Sequence, residues 1–300
     1  MSRPNGPAAD RESLADASNP LGLSGIEFIE FSTSKPQALG QVLEMMGFRP
    51  IARHRSREVL LYRQGDMNVI INAHAGGLPR TVQPAETPVI AALALRVRDA
   101  DAAYRHALDR GAWAVPTQVE LMELNIPAIH GVGGSRIYFV DRTRDFSIYD
   151  VDFTLIPTVD AKPPALTGLH WFGVVQYIGN DRMEDWTEFY AELFGFKPLS
   201  DEQRYGILPK GRILQSPCGT FYLQLIEPEP GILDVEGDES LQRLGLGTPD
   251  VLASVNALRE RGVGFIESSG VHSELRGALT QSYLGGVMFE LVQDPRAERA

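Results

Sequence analysis

The chain has 300 residues and is acidic, with 28 Lys and Arg against 39 Asp and Glu for a net charge of -11, and 43% of its residues are hydrophobic. That length supports two ordinary domains with separate cores, and that apolar share suits a folded globular protein rather than a disordered one. The negative charge argues against a surface built to neutralise phosphates, and no apolar run is long enough to cross a bilayer, so small-molecule chemistry is expected.

Residues 1–20 are rich in Ala, Ser, Asp and Pro, lack the apolar core of a secretory signal, and are expected to form a flexible tail on a cytoplasmic protein. A first amphipathic helix is predicted where Leu39, Val42, Leu43 and Met46 recur at helical spacing ahead of Gly47. Strands are predicted over 59–62, 68–71 and 136–140, where β-branched and aromatic residues alternate with polar ones. Gly131-Val132-Gly133-Gly134 superficially matches a phosphate loop, but a strand rather than a helix follows it, which makes it a hairpin turn. The segment 157–164 carries Pro157, Pro163 and Pro164 and reads as a linker. Beyond it, Phe189, Tyr190, Leu193 and Phe194 mark a second amphipathic helix ending at Gly195, with strands predicted over 221–225 and 287–291. Cys218 is the sole cysteine, so intrachain disulfides and thiolate zinc clusters are excluded; it is read as a packing residue in a reducing compartment.

Several of these segments occur twice. Met46-Gly47-Phe48-Arg49-Pro50 returns as Phe194-Gly195-Phe196-Lys197-Pro198, and Gly25-Ile26-Glu27-Phe28 returns as Gly168-Leu169-His170-Trp171. Ala107-Leu108-Asp109-Arg110-Gly111 has a weaker counterpart in Ala257-Leu258-Arg259-Glu260-Arg261-Gly262, again roughly 150 residues later. Three matches in register imply a duplicated domain, with halves at 21–156 and 165–300. Each half divides into two units of strand, helix and further strands, an α+β arrangement of two curved, mostly antiparallel sheets able to wrap a small-molecule pocket.

Three stretches of the N-terminal half carry a family resemblance. They are Gly25-Ile26-Glu27-Phe28-Ile29-Glu30-Phe31, the run from His54-Arg55-Ser56-Arg57 through Tyr62-Arg63-Gln64-Gly65, and Met122-Glu123-Leu124-Asn125-Ile126-Pro127-Ala128-Ile129. In these the chain resembles the non-catalytic N-terminal domain of the bacterial 4-hydroxyphenylpyruvate dioxygenase family, within the vicinal-oxygen-chelate (VOC) superfamily. The resemblance implies four βαβββ modules in two tandem VOC domains, the first structural and the second bearing the pocket, and a homodimer. It also implies Fe(II) held by two histidines and a glutamate, with facial positions open to a 2-oxo acid and dioxygen.

Carried over position by position, His170 matches the first histidine, and Glu290 in Val287-Met288-Phe289-Glu290-Leu291-Val292-Gln293 matches the glutamate. The second histidine falls on Arg243 in Gln242-Arg243-Leu244-Gly245-Leu246, and Thr248, Asp250, Ala257, Leu258, Gly262 and Phe265 hold the register without a gap. Arginine stays protonated and has no lone pair for a metal. Structural alternatives stand beside these roles: His170 as an ordinary strand histidine, Glu290 on the solvated face of an edge strand. A carboxylate among apolar strand residues otherwise requires a partner. Around Ser216-Pro217-Cys218-Gly219 the resemblance holds, yet the next strand has Ile226 at the family's polar position, with Gln224 the nearby amide. The chain stops at Ala300, shortly after Gln293, where family members continue into a lid helix, so no such lid is expected.

Two functions follow from this set. In one, the protein is an Fe(II)-dependent dioxygenase acting on an aromatic 2-oxo acid or related small carboxylate. His170 and Glu290 then bind metal, a third donor comes from Gln224, His272 or water, and Arg243 grips the substrate carboxylate. In the other, Arg243 pairs with Glu290 in the old metal cavity and no metal binds. The pocket is then a metal-free binding module, or a lyase or isomerase site with Glu290 as base. His54, His74, His106 and His130 lie in the first half, where Glu27 stands at the position of His170, and are expected at the surface. Trp171 and Phe172 can line the pocket or fill the core.

Overall fold

The structure, a computed structural model, describes residues 18–74, 84–116, 125–141, 147–200, 211–228, 239–266 and 277–294. In the first half the order is β1 (Gly25–Ser32), α1 (Pro36–Met45), β2 (Arg49–His54), β3 (Val59–Gln64), β4 (Met67–Asn72), β5 (Val89–Val97), α2 (Ala100–Asp109), β6 (Ala128–His130), β7 (Arg136–Asp141), α3 (Ile148–Asp152) and β8 (Phe153–Leu155). The second half follows with β9 (His170–Tyr177), α4 (Met183–Phe194), β10 (Lys197–Pro198), β11 (Arg212–Gln215), β12 (Tyr222–Ile226), β13 (Ser240–Thr248), α5 (Val251–Glu260), β14 (Ala278–Leu279) and β15 (Phe289–Gln293). Both helices predicted from apolar spacing form, and α4 ends on Gly195 in the left-handed conformation (φ 79°), where a Cβ would be strained.

The repeat seen in the sequence is visible in the strand pairing. β1 pairs with β4 in parallel and with β5 antiparallel; β9 repeats this with β12 and β13. β7 lies parallel to β5 just as β15 lies parallel to β13. The remaining pairs are antiparallel, as in the β2–β3–β4 ladder. The glycine run after His130 makes the expected hairpin: β6 and β7 pair antiparallel across it, with the Gly131 amide donating to the Ser135 carbonyl. Among the described residues the two expected sheets are joined into one of fifteen strands, because Leu241 of β13 bridges antiparallel to Ile90 of β5.

Alternation along the strands separates two faces. One face of β9 and β13 sends Trp171, Val174, Leu244 and Leu246 into the main core, shared with Phe48, Phe139, Tyr190 and Phe194. That core crosses between the halves: Phe48 lies 6.3 Å from Trp171, and Phe139 stacks at 6.1 Å on Phe194. Arg261, just past α5, donates to the carbonyls of Met45 and Glu44 at 3.0 and 2.6 Å. Its guanidinium thereby caps the last carbonyls of α1, that of Glu44 also accepting from the Gly47 amide, where positive charge is favoured by the helix dipole. The opposite face of the first half is closed by Phe28, Ile51, Leu61, Ile70, Tyr149 and Phe153. In the second half that face stays partly open, and the candidate site lies there.

The four N-terminal histidines are half-buried rather than at the surface. His54 packs edge-on against Phe153 at 5.3 Å while its Nδ1 accepts from the Arg57 amide, so it serves the local turn. Glu27 is held by Arg96 at 2.7 Å. No helix among the described residues is long and apolar enough to cross a membrane.

Candidate functional site

β13 supplies the first residue of the site through an irregularity. Its register against β9 shifts between Leu241, opposite Gln176, and Arg243, opposite Val175. Leu241 and Arg243 are two apart and would share a face in a regular strand. The extra residue inverts the alternation, so Leu241 stays in the core and Arg243 turns to the side where Gly245 lines a cavity. On the neighbouring β15, Phe289 and Leu291 enter the core at 0% exposure while Glu290 and Val292 face the cavity. Gly245 and Glu290 are direct partners in the β13–β15 ladder.

Arg243 Nε donates to Glu290 Oε2 at 2.9 Å, and both side chains are almost wholly buried, at 3% and 4% exposure. Two opposite charges removed from water neutralise each other here, which is the partner the carboxylate requires among apolar strand residues. Arg243 Nη2 is also buried and has no hydrogen-bond partner. Polar atoms of this kind carry a desolvation cost of about 1–3 kcal/mol unless a ligand or water meets them.

The cavity beside the pair is small, with a volume of about 20 Å³, and is partly open to solvent. Phe172 and Tyr222, with ring centroids 4.9 Å apart, form one wall; Ile213 and Val292 are apolar neighbours, and Gln224 from the centre of β12 adds an amide. Gly245 forms part of the lining, and Glu290 is the one charged side chain among the described residues that line it. Phe172 therefore reaches the pocket, whereas Trp171 goes to the core.

His170 begins β9 but turns elsewhere. Its Nδ1 lies 3.0 Å from the Gly168 carbonyl oxygen and its Nε2 lies 3.2 Å from Oδ2 of the buried Asp294. Of the expected site residues, Glu290 and Gln224 line the cavity and Arg243 joins Glu290 through their ion pair, while neither Arg243 nor His170 is among the residues lining it. His272, offered as a third donor, lies outside the described residues. Asp294 was not picked out from the sequence; its place four residues after Glu290 gives no sign that it returns to His170 across β13. Cys218 is half-buried in the turn between β11 and β12, with Sγ 3.0 Å from Thr220 Oγ1.

The donor set does not fit a two-histidine, one-carboxylate Fe(II) centre. Arg243 has no lone pair to give, its Nε engages Glu290, and His170 Nε2 is directed at Asp294. Among the described residues no three His, Cys, Asp or Glu side chains are grouped so as to hold a metal.

Comparison with known proteins places this geometry in context. The profile of the hydroxyphenylpyruvate dioxygenase N-terminal domain matches residues 17–154, and that of the glyoxalase, bleomycin resistance protein and dioxygenase superfamily matches residues 168–295. A protein of Pseudomonas sp. (strain P.J. 874) named 4-hydroxyphenylpyruvate dioxygenase is 39% identical over 262 residues, spanning 83% of this chain and 72% of its own length. The protein named hemolysin VllY from Vibrio vulnificus (strain CMCP6) is 33% identical over 266 residues, spanning 84% of this chain and 74% of its own. Among solved structures, a triple mutant of 4-hydroxymandelate synthase from Streptomyces coelicolor superposes with a TM-score of 0.71 over 91% of this chain and 93% of that one. At 21% identity that last likeness speaks to the fold alone.

Proposed function

The chain belongs to the hydroxyphenylpyruvate dioxygenase family, and within it we propose that residues 165–300 form a pocket for a small aromatic molecule that works without a metal, supported by a structural first half over 21–156. The observation that carries this reading is the buried 2.9 Å pair between Arg243 and Glu290. A guanidinium now supplies a permanent positive charge next to the family's carboxylate, so Glu290 is neutralised without an ion. Phe172 and Tyr222 offer ring faces to an aromatic ligand, and Gln224 and Glu290 offer polar groups that orient it. A paired carboxylate on the wall of an otherwise apolar cavity can accept a hydrogen bond from a ligand hydroxyl, and it can take a proton as a base in a non-oxidative reaction.

A second reading keeps the family's oxygen chemistry: Fe(II)-dependent oxidation of an aromatic 2-oxo acid, favoured by the identity to proteins named 4-hydroxyphenylpyruvate dioxygenase. It requires His170 to leave Asp294 and Arg243 to release Glu290, and oxygen uptake with 4-hydroxyphenylpyruvate would reveal it.

The metal-free reading is tested by thermal shift and calorimetry on chelator-treated protein with 4-hydroxyacetophenone, 4-ethylphenol and 4-hydroxybenzoate. Gly245→Val serves as the control, since Gly245 lines the cavity and a Cβ there sits 3.4 Å from Phe172 Cδ1 and from the Gly173 backbone. Saturable binding of at least one probe, abolished in the variant, is expected. Absence of binding by all three, or binding unaffected by Gly245→Val, would overturn the reading.

A further inference from the structure

We infer that the first half carries a ligand site of its own, independent of the pocket proposed above, for a small zwitterion of the α-amino-acid kind, its carboxylate on Arg136 and its ammonium on Glu30. The strand pairing locates it. Glu30 of β1 stands opposite Ala92 of β5, and Ala92 opposite Arg136 of β7, just as Gly173 stands opposite Gly245 and Gly245 opposite Glu290. Asn72 pairs with Ser32, two residues after Glu30, as Gln224 pairs with Val175, two residues after Gly173. Glu30, Asn72 and Arg136 therefore hold in the first half the places of Gly173, Gln224 and Glu290, three residues that line the cavity of the second.

Their chemistry is that of two opposite charges held apart. Asn72 Nδ2 donates to Glu30 Oε1 at 2.8 Å, and Oε2 has no hydrogen-bond partner among the described residues. Arg136 Nη1 donates to the Tyr138 hydroxyl at 3.3 Å, and its guanidinium makes no other hydrogen bond or ion pair among the described residues. Glu30 and Arg136 feel each other's charge yet do not meet. Arg136, Tyr138 and Asn72 are half-buried, so this end of the face is reached from solvent. Phe28, with its ring 5.8 Å from that of Tyr138, marks the edge of the apolar cluster that closes the rest. A buried carboxylate without a contacting counter-ion is costly, and burial raises the Glu30 pKa against the lowering effects of Asn72 and Arg136. An ammonium supplies that counter-ion, while the unengaged part of the guanidinium takes a carboxylate. A ligand with both charges leaves the balance of the site unchanged; an anion alone adds a like charge near Glu30, and a cation alone adds one near Arg136.

L-Leucine, 4-methylpentanoate and 3-methylbutylamine share one apolar side chain; the second lacks the ammonium and the third the carboxylate. Binding of each to the full chain is measured by ligand-observed NMR titration at about pH 8, where the carboxyl of Glu30 is most ionised. In wild type, L-leucine is expected to bind about tenfold more tightly than either analogue, the tenfold corresponding to about one hydrogen bond to a charged group. Its advantage over 4-methylpentanoate is expected to vanish in Glu30→Gln, and its advantage over 3-methylbutylamine in Arg136→Gln, with melting transitions showing that both variants are folded. Failure of L-leucine to bind wild type, or binding no tighter than that of both analogues, would overturn the inference whatever the variants do. Preferences that survive in the two variants would remove Glu30 and Arg136 as the anchors. Binding of L-leucine that is lost in Gly245→Val would place the ligand in the second half and overturn the site; none of these outcomes touches the pocket reading, which its own probes decide.

Discussion

Gly247 lies against the imidazole of His170, so closely that a Cβ at this position would collide with Nε2 and come within 2.7 Å of Cε1. The glycine leaves the space in which His170 reaches Asp294, 3.2 Å away, instead of the cavity.

Gly247→Ala should therefore displace the ring and leave the buried Asp294 without this partner. A loss of about 1–3 kcal/mol is expected, the usual cost of an overpacked site. Removing the ring as well, in Gly247→Ala/His170→Ala, should recover part of it. Denaturant unfolding of the two variants checks this; a single substitution no less stable than wild type would show that His170 moves freely.

The buried ion pair makes a sharper prediction. Arg243→Met alone strands Glu290 in an apolar wall and should cost about 3–5 kcal/mol, whereas Arg243→Met/Glu290→Gln should fall near wild type. The interaction energy of the double-mutant cycle, from denaturant titration, reports the coupling. Additive losses would mean that the two side chains do not depend on each other.

Glu30, on β1, is buried at 6% exposure and accepts from Asn72 Nδ2 at 2.8 Å. Burial pushes its pKa above the ordinary 4.5, against the lowering effects of Asn72 and Arg136. A carboxyl with a raised folded pKa binds its proton more tightly folded than unfolded, so its contribution to stability declines as pH climbs from 4.5 through the folded value. Glu30→Gln keeps an oxygen for Asn72 and cannot ionise. It should raise the melting temperature relative to wild type at about pH 8, with the advantage gone at about pH 4. A pH-independent difference would place the effect in packing rather than ionisation.

Much of the architecture was legible because apolar spacing and a duplicated chain act locally. Leu39, Val42 and Leu43 announce α1, and the Gly47 and Gly195 stops recur at matching places in both halves. The Arg243 substitution was also legible, since its chemistry excludes metal ligation whatever the fold, and the pairing with Glu290 was one of two outcomes open from the sequence. The bulge after Leu241, which turns Arg243 toward Glu290, could not be read, because a register shift is set by the partner strand and not by the residue that is bulged. Nor could the junction of both sheets at Leu241 and Ile90, a contact between distant segments. His170 was placed by a resemblance that carries residue types but not rotamers. Its direction is decided by Gly247 and Asp294, whose roles emerge only when β9, β13 and the end of β15 are brought together.

The most direct test of the central claim is the iron content of the protein after anaerobic incubation with Fe(II) and desalting, measured beside His170→Ala. With Arg243 holding Glu290 and His170 held by Asp294, wild type should retain no more iron than the variant. Near-stoichiometric iron in wild type that disappears in His170→Ala would contradict the account and restore a metal-dependent oxygenase.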